Sequence, residues 1–347
     1  MRILLATDAW SPQVNGVVRT WQQTIRELVA MGHEVEVLHP GLGRTIAAPR
    51  YNEIRLSLAP WRIVGQAMER PFDAVHIATE GPIGLEARRR CESRGIPYTT
   101  SYHTQYPEYL KQYFALPRRI TWRLMRWFHG GARATLAPTQ QVTDQLRREG
   151  ITRAQTWCRG VDTELFRPVA SELFADLPRP IYLYAGRVAR EKNIDAFVEA
   201  NLRGSKVVVG DGPERERLQR ACPEIVFAGY RFGDELAAHY SAADVLVFPS
   251  RTDTFGIVML EANACGLPVA AYPVTGPIDV VREGVNGALD ERLDAAAARA
   301  LQVPRLSCVA HARGQSWRRV AEVLLGHLAP ARLDMIRSVP ERALRSS

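Results

Sequence analysis

The sequence predicts an α/β protein made of two doubly wound parallel sheets. Short runs of aliphatic and β-branched residues alternate with helix-period segments along almost the whole chain, the pattern of repeated βαβ units. The runs stop at loops rich in Gly, Pro and Asp, and a chain of 347 residues has the length for two ordinary domains. The turn-rich stretch 157–168, WCRGVDTELFRP, interrupts the alternation near the middle. It divides the chain into a first domain at 1–165, a second at 166–330, and an arginine-rich tail at 331–347.

The first half opens with a strand at 2–6, RILLA, and a loop at 7–16, TDAWSPQVNG. Residues 17–31 repeat apolar side chains at Val18, Trp21, Ile25, Leu28 and Val29, a helical period, and Gly32 closes the helix. Residues 33–40 form the next strand and complete a βαβ unit. Its loop sets Asn15-Gly16 at the helix start, where a residue without a side chain lets a phosphate approach the backbone; a plain turn is the equal reading. Strands follow at 73–77 and 97–101. Glu80 leaves the carboxyl end of one, and Tyr102-His103-Thr104 the carboxyl end of the other. Together with Asp8 they gather at the edge where open α/β sheets bind ligands, although His103 alone reads equally as a structural histidine.

Residues 116–133, LPRRITWRLMRWFHGGAR, are the most unusual in composition. On a helix Ile120, Leu124, Trp127 and Phe128 share a face, and Arg118, Arg119, Arg123 and Arg126 supply cations. Such a helix suits an anionic membrane interface with its tryptophans at headgroup depth; a surface helix packing that face on its own domain is the competing reading. A strand at 134–138, a capping Thr139 and a helix at 141–148 ended by Gly150 complete the half.

The second half restarts with a strand at 181–185, followed by GRVAREKN and a helix. Arg187 and Lys192 stand just past that strand, where a guanidinium fork and an ammonium can hold a diphosphate; a solvated basic loop is the alternative. A strand at 206–209 leads through Gly210-Asp211-Gly212-Pro213 into a helix at 214–222. Residues 225–228, 235–241 and 244–249 continue as strand, helix and strand. After them comes 250–266, SRTDTFGIVMLEANACG. Thr252 and Thr254 are candidate N-caps for a helix starting near Phe255-Gly256, with Ile257, Leu260, Glu261 and Ala264 at helical spacing. Asp253 lies before that helix and Glu261 about a turn and a half inside it, so both carboxylates can address one elongated ligand as acceptors for hydroxyl groups. A strand at 269–271 ends at PVTGP. The end of the chain reads as a helix from Ser316-Trp317 and then a disordered tail.

The net charge of +8 points to acidic partners, namely nucleotides, anionic lipid or nucleic acid. The chain contains no helix-turn-helix, zinc-finger or RNA-recognition motif, which argues against nucleic acid. No Walker A sequence or full G-x-G-x-x-G is present, which argues against a P-loop ATPase or a dinucleotide dehydrogenase. Five scattered cysteines without a C-x-x-C pair fit reduced cytoplasmic thiols and no zinc site. Asp8 comes too early for a signal-peptide core, and no run approaches a transmembrane span.

Taken together, these residues resemble glycosyltransferase family 4, the large retaining group with the GT-B fold. The likeness covers nearly the whole chain. It rests on Asn15-Gly16, Gly160-Val161-Asp162 with Phe166 and Pro168, Gly186-Arg187 with Glu191-Lys192-Asn193, and Gly210-Asp211-Gly212-Pro213. Further along come Ala243-Asp244 with Phe248-Pro249-Ser250, and Phe255-Gly256 with Leu260-Glu261-Ala262 and Cys265-Gly266. Asp253 departs from the family, whose E-x7-E motif usually begins with glutamate; aspartate keeps the charge and shortens the reach by one methylene.

The resemblance implies two Rossmann-like domains facing a central cleft, the first binding the acceptor and the second a nucleotide-sugar. Arg187 and Lys192 would hold the diphosphate and Glu261 the ribose hydroxyls. Asp253 and the amides of Thr254, Phe255, Gly256 and Ile257 would hold the transferred sugar. Gly16 would approach the diphosphate from the other domain, and His103 would lie beside the sugar. Asp8, Glu80 and Tyr102 are the acceptor-side candidates. The implied chemistry is front-face transfer with retention and without metal or other cofactor, with His103, Arg187, Lys192 and Asp253 as its catalytic residues.

Residues 101–107, SYHTQYP, and 252–256, TDTFG, look like those of sulfoquinovosyl-, glucosyl- and glucuronosyl-diacylglycerol synthases. That implies a UDP-sugar donor and a lipid acceptor such as diacylglycerol. The enzyme would sit peripherally at the inner face of the cytoplasmic membrane through Arg119, Trp122, Arg123, Arg126 and Trp127. The alternatives are a GDP-mannose-dependent α-mannosyltransferase and a soluble transferase of lipopolysaccharide or capsule. A non-catalytic sugar-nucleotide binder and a basic nucleic-acid-binding protein are the readings outside enzymes.

Overall fold

Strands of three to five apolar residues are stable in a parallel sheet only when both faces are covered, and the chain covers them with helices. The computed structural model describes residues 1–13, 15–48, 51–104 and 117–331. Gln105, Tyr106 and Pro107 of the sequence motif, and the tail from residue 332 on, lie outside the described residues.

The chain begins with β1 (Arg2–Ala6), α1 (Gly16–Ala30) and β2 (Glu34–Leu38). An antiparallel pair, β3 (Thr45–Ala48) and β4 (Tyr51–Ser57), precedes α2 (Pro60–Ala67). Then come β5 (Ala74–Ile77), α3 (Pro82–Ser93), β6 (Thr99–Ser101), α4 (Arg118–His129), β7 (Thr135–Ala137), α5 (Gln140–Arg148) and β8 (Ala154–Thr156). The six parallel strands lie in the order β2-β1-β5-β6-β7-β8. Successive side chains of β1 point to opposite faces: Leu4 and Ala6 join Val75 and Ile77 in one core, while Ile3 and Leu5 pack with Trp21 and Leu28 of α1 in another.

The second half repeats the plan with β9 (Ile181–Ala185), α6 (Ile194–Glu199), β10 (Ser205–Val209), α7 (Arg215–Ala221), β11 (Val226–Gly229), α8 (Gly233–Ala242) and β12 (Val245–Phe248). It continues with α9 (Ile257–Ala264), β13 (Val269–Ala271), the short α10 (Pro277–Val280), β14 (Gly287–Leu289), α11 (Leu293–Ala300) and α12 (Arg305–Arg313). Its parallel order is β11-β10-β9-β12-β13-β14. In both sheets the order reverses beside the first strand, between β1 and β5 and between β9 and β12. The loops leaving those four strands therefore border the crevices where such sheets bind ligands.

The last described helix, α13 (Trp317–His327), follows the second sheet in sequence but packs on α1 of the first. Trp317, Val320, Ala321 and Leu324 share a core with Trp21 and Trp157, and the Trp157 indole donates to the carbonyl of Val320 at 2.9 Å. The chain thus ties its two halves together a second time, away from the linker.

The structure corrects the reading of α4. Two apolar stripes run along this helix. Thr121, Trp122, Met125, Phe128 and His129 are buried, whereas Ile120, Leu124 and Trp127 are 54%, 47% and 51% exposed. Phe128 therefore belongs to the inner stripe. Trp122 is not a membrane contact: its ring is 6% exposed and stacks on Tyr102 in a core that includes Val142 and Leu146 of α5. The helix is pinned at its carboxyl end by Arg88 of α3, which donates to the carbonyls of Trp127 and Phe128 and lies 4.1 Å from the Trp127 ring centre.

The two tryptophans should therefore separate in urea unfolding. Trp122→Ala is expected to lower stability by about 3–5 kcal/mol, the usual loss for emptying a buried aromatic site. Trp127→Ala should lower it by no more than about 1 kcal/mol. Equal losses would mean that both stripes are core.

Candidate active site

The site is assembled from the loops that leave β9 and β12, with β10 alongside and the loops of the first sheet facing them. Gly210 lets two of these loops touch: a Cβ there would lie 1.9 Å from the carbonyl oxygen of Gly186. Beyond Gly186 the backbone of Arg187 is held by the Tyr184 hydroxyl, which donates to its carbonyl at 2.6 Å. A single 3₁₀ turn, Arg190–Lys192, then ends at Asn193, whose side-chain amide donates to the Pro249 carbonyl at the end of β12. The loop bearing Arg187 and Lys192 is in this way tied to the loop bearing Asp253.

The charges of these loops meet. The Lys192 ammonium lies 2.5 Å from a carboxylate oxygen of Asp253. Arg187 is 3.6 Å from Glu191, which is itself buried. Two candidate diphosphate ligands thus stand beside carboxylates, in loops where an anionic ligand can take the carboxylates' place.

Before α9 the threonines do not act as N-caps. The residue at the cap position is Gly256, at φ +85°, with no side chain capping the helix. Thr252 donates instead to the carbonyl of Glu191 at 3.0 Å, and Thr254 reaches across to the carbonyl of His103 at 2.8 Å. Long-range acceptors have taken both hydroxyls, which leaves the amino end of α9 turned into the cleft without a side-chain lid. Glu261, one turn further, has a side chain only 2% exposed. Arg19 of α1 pairs with it at 2.8 Å and the Tyr240 hydroxyl donates to it at 3.2 Å. Burial pushes this carboxyl above its ordinary range, opposed by Arg19 and by the Tyr240 bond.

His103 is buried, and it is its carbonyl that meets the opposite loop. Its ring lies edge-on to Trp21 and Trp157, taking contacts from the Trp21 indole at 3.0 Å and from Arg159 at 3.1 Å. Indole and guanidinium only donate, so a neutral ring accepts from one of them at a time. Burial first, then Arg159 and His76, hold its pKa far below the usual histidine value, so the ring is neutral. Arg159 is itself fully enclosed, and burial pushes it down to about 9.

The acceptor-side candidates divide. Asp8 accepts from the backbone N–H groups of Ile83 and Gly84 and from Thr79, and so caps α3 from a neighbouring loop. Burial nevertheless pushes Asp8 up to about 6. Glu80 faces His129 at 3.3 Å, both side chains being buried. Tyr102 is a correction: at 1% exposure it is a core ring between Trp122 and His129 rather than a cleft residue. Gly16 opens α1 with no atom within 4 Å of where a Cβ would stand, while Asn15 caps the N–H groups of Val17 and Val18. Sequence reasoning missed Arg19, Tyr240 and Arg159. Arg19 stands three residues beyond Gly16, and that proximity was its only local signal.

Residues 14–165 match the family model Glycosyltransferase Family 4, and residues 179–306 match Glycosyl transferases group 1. A GDP-mannose-dependent alpha-mannosyltransferase of Mycobacterium tuberculosis is 31% identical over 96% of this chain and 97% of its own. The chain belongs to glycosyltransferase family 4. The transferase is also 32% identical to sulfoquinovosyl transferase SQD2 of Arabidopsis thaliana, over 79% of this chain and 60% of that one. It is 24% identical to an alpha-monoglucosyldiacylglycerol synthase of Acholeplasma laidlawii over 83% of this chain and 84% of the other. Among solved structures, Anabaena Alr3699/HepE in complex with UDP and glucose superposes with a TM-score of 0.70 at 17% identity, over 94% of this chain and 98% of that one. The two facing parallel sheets are the GT-B fold.

The pairing of Lys192 with Asp253 is open to a double-mutant cycle. In the ligand-free transferase, Lys192→Met and Asp253→Asn should couple by about 1 kcal/mol, the upper end for a partly exposed pair, in chemical denaturation. A coupling of zero would mean that the two side chains do not meet in solution.

Proposed function

We propose that this transferase moves a mannosyl unit from GDP-mannose to a lipid acceptor, with retention and without a metal. What carries the donor is similarity over the full length: the relatives named GDP-mannose-dependent alpha-mannosyltransferases match end to end, with 31% identity over 96% of the chain. The short motifs had pointed to a UDP-sugar and to glycosyl-diacylglycerol synthases. Those relatives match a smaller share of the chain, 79% for the sulfoquinovosyl transferase and 83% for the glucosyl enzyme.

In this reading the donor diphosphate takes the place of Asp253 against Lys192 and of Glu191 against Arg187. Glu261 accepts from the ribose hydroxyls, while Asp253, once released, and the amides from Thr254 to Ile257 meet the sugar. The bond between the anomeric carbon and the phosphate oxygen breaks with its electrons staying on the phosphate, where the two cations stabilise the charge. The acceptor oxygen bonds to the same face of the sugar and gives its proton to the departing phosphate oxygen. His103, buried and neutral, fixes the loop through its carbonyl and takes no proton.

The lipid acceptor rests on α4. Ile120, Leu124 and Trp127 form an exposed apolar stripe among Arg119, Arg123 and Arg126, the composition of an interfacial helix. Among the described residues no helix is long and apolar enough to cross a membrane, so the contact is with its surface. The relative from Acholeplasma laidlawii named an alpha-monoglucosyldiacylglycerol synthase supports the same acceptor class.

Thermal unfolding against GDP-, UDP- and ADP-sugars, with a chelator present, tests the donor. GDP-mannose should raise the midpoint, by a shift that keeps growing with the logarithm of its concentration above Kd. A rise with a UDP-sugar alone would overturn the mannosyl assignment. Arg187→Ala, Lys192→Ala and Glu261→Ala should each lower transfer by about 10²-fold or more with the fold intact, the scale of losing one transition-state contact. Near-normal turnover in all three would end the catalytic reading. Replacing Leu124 and Trp127 together by serine should weaken sedimentation with anionic vesicles; unchanged binding would remove α4 as the membrane face.

A further inference from the structure

The nucleotide half of the proposed site holds a residue from the other half of the molecule. Glu261 lies on α9 with its carboxylate buried, the Tyr240 hydroxyl of α8 on one oxygen at 3.2 Å and Arg19 of α1 on the other at 2.8 Å. Arg19 is held for this contact. Its guanidinium lies 5.3 Å from the ring centre of Phe166, which packs edge-on against Tyr240. Arg26, two turns along the same helix, lies 3.5 Å from Asp162 of the stretch that joins the two halves.

Arg19 is the only charged group placed against this carboxylate among the described residues. Tyr240 is kept neutral by burial, which drives its phenol well above its ordinary pKa. Cys265, which follows α9 one turn beyond Glu261, is likewise neutral, its thiol pushed up to about 12 by burial. Arg305 of α12, which packs on α9, spends its guanidinium on the carbonyls of Ser241 and Ala243.

We propose that Arg19 is a positioning residue for the donor: from the opposite domain it keeps Glu261 ionised and oriented so that the carboxylate accepts from the ribose hydroxyls. This rests on the donor-site reading above. An ionised carboxylate has about four acceptor positions. Arg19 and Tyr240 occupy two, and two remain for a pair of vicinal hydroxyls, so the guanidinium stays in place when the donor enters. A buried carboxyl without its cation takes up a proton and offers a donor where the ribose needs an acceptor. Because the cation sits on the first half of the chain, Glu261 is set for ribose only when the two halves are closed on each other.

The test is the pH dependence of donor KM and kcat in the wild type, Arg19→Met and Arg19→Lys. Arg19 lowers the carboxyl's pKa, so its removal moves protonation to higher pH, and donor affinity falls as pH falls. Arg19→Met should raise donor KM about tenfold between pH 8 and pH 6, with kcat changed less than about threefold. The wild type and Arg19→Lys should stay nearly flat over that range. In a Glu261→Gln background, Arg19→Met should change KM no further, since no charge is left to maintain. A wild type stabilised by a nucleotide-sugar, with an Arg19→Met profile that follows it or is shifted equally at every pH, overturns the role of Arg19 and leaves the donor site standing. A wild type stabilised by no nucleotide-sugar overturns the donor site itself and this role with it.

Discussion

A charge cannot be taken out of water alone, and the cleft of this transferase is organised around that constraint. The side chains proposed to meet the donor are charged, and each finds its counter-charge nearby: Lys192 against Asp253, Arg187 near Glu191, Glu261 against Arg19. The ligand-free site is thereby nearly neutral within itself. In the proposed reading a dianionic diphosphate takes over the two cations from the internal carboxylates that face them. The same rule explains Arg159, which is fully enclosed yet donates to the carbonyls of Trp157 and Cys158 and lies against the Trp157 ring.

Backbone contacts hold these charges in register. Gly210 lets the β10 loop lie on the β9 loop, Asn193 ties the β9 loop to the end of β12, and Thr254 ties the β12 loop to His103, in the loop that leaves β6 of the other sheet. Beneath His103 the rings of Trp21 and Trp157 form a rigid floor, and the indole of Trp157 is anchored in turn to α13. The helix that closes the described chain therefore bears on the loop that meets Thr254 of the second half. In a two-sheet enzyme, such a brace limits how far the halves can part without breaking a buried aromatic core.

The sheets were legible in the sequence because each strand is a short apolar run stopped by a residue that cannot continue it, as Pro249 stops β12. The positions that follow those strands were legible for the same reason, and the fold brings Lys192 and Asp253 into contact as their loop positions suggest. Long-range choices were not legible. A threonine before a helix usually caps it, yet Thr254 found an acceptor 151 residues away. On α4 both stripes are apolar, and periodicity alone does not say which one meets the core, so Trp122 and Trp127 were read alike. Arg19 is one arginine among several on an amphipathic helix, and only the closing of two sheets gives it a carboxylate.

The aspartate at position 253 shows how little freedom that closing leaves. The family usually has glutamate there, and a longer side chain could be matched by a small retreat of the loop. Here the loop is fixed on three sides: Thr252 to Glu191, Thr254 to His103, and Gly276 so near that a Cβ would stand 2.8 Å from the carbonyl oxygen of Asp253. The backbone therefore does not advance to restore the missing methylene. In the proposed reaction the sugar must come closer to the loop instead, to meet the carboxylate that Lys192 gives up. In that reading the entry of the diphosphate and the release of the sugar-binding carboxylate are one exchange, since the cation that takes the phosphate is the one that Asp253 gives up.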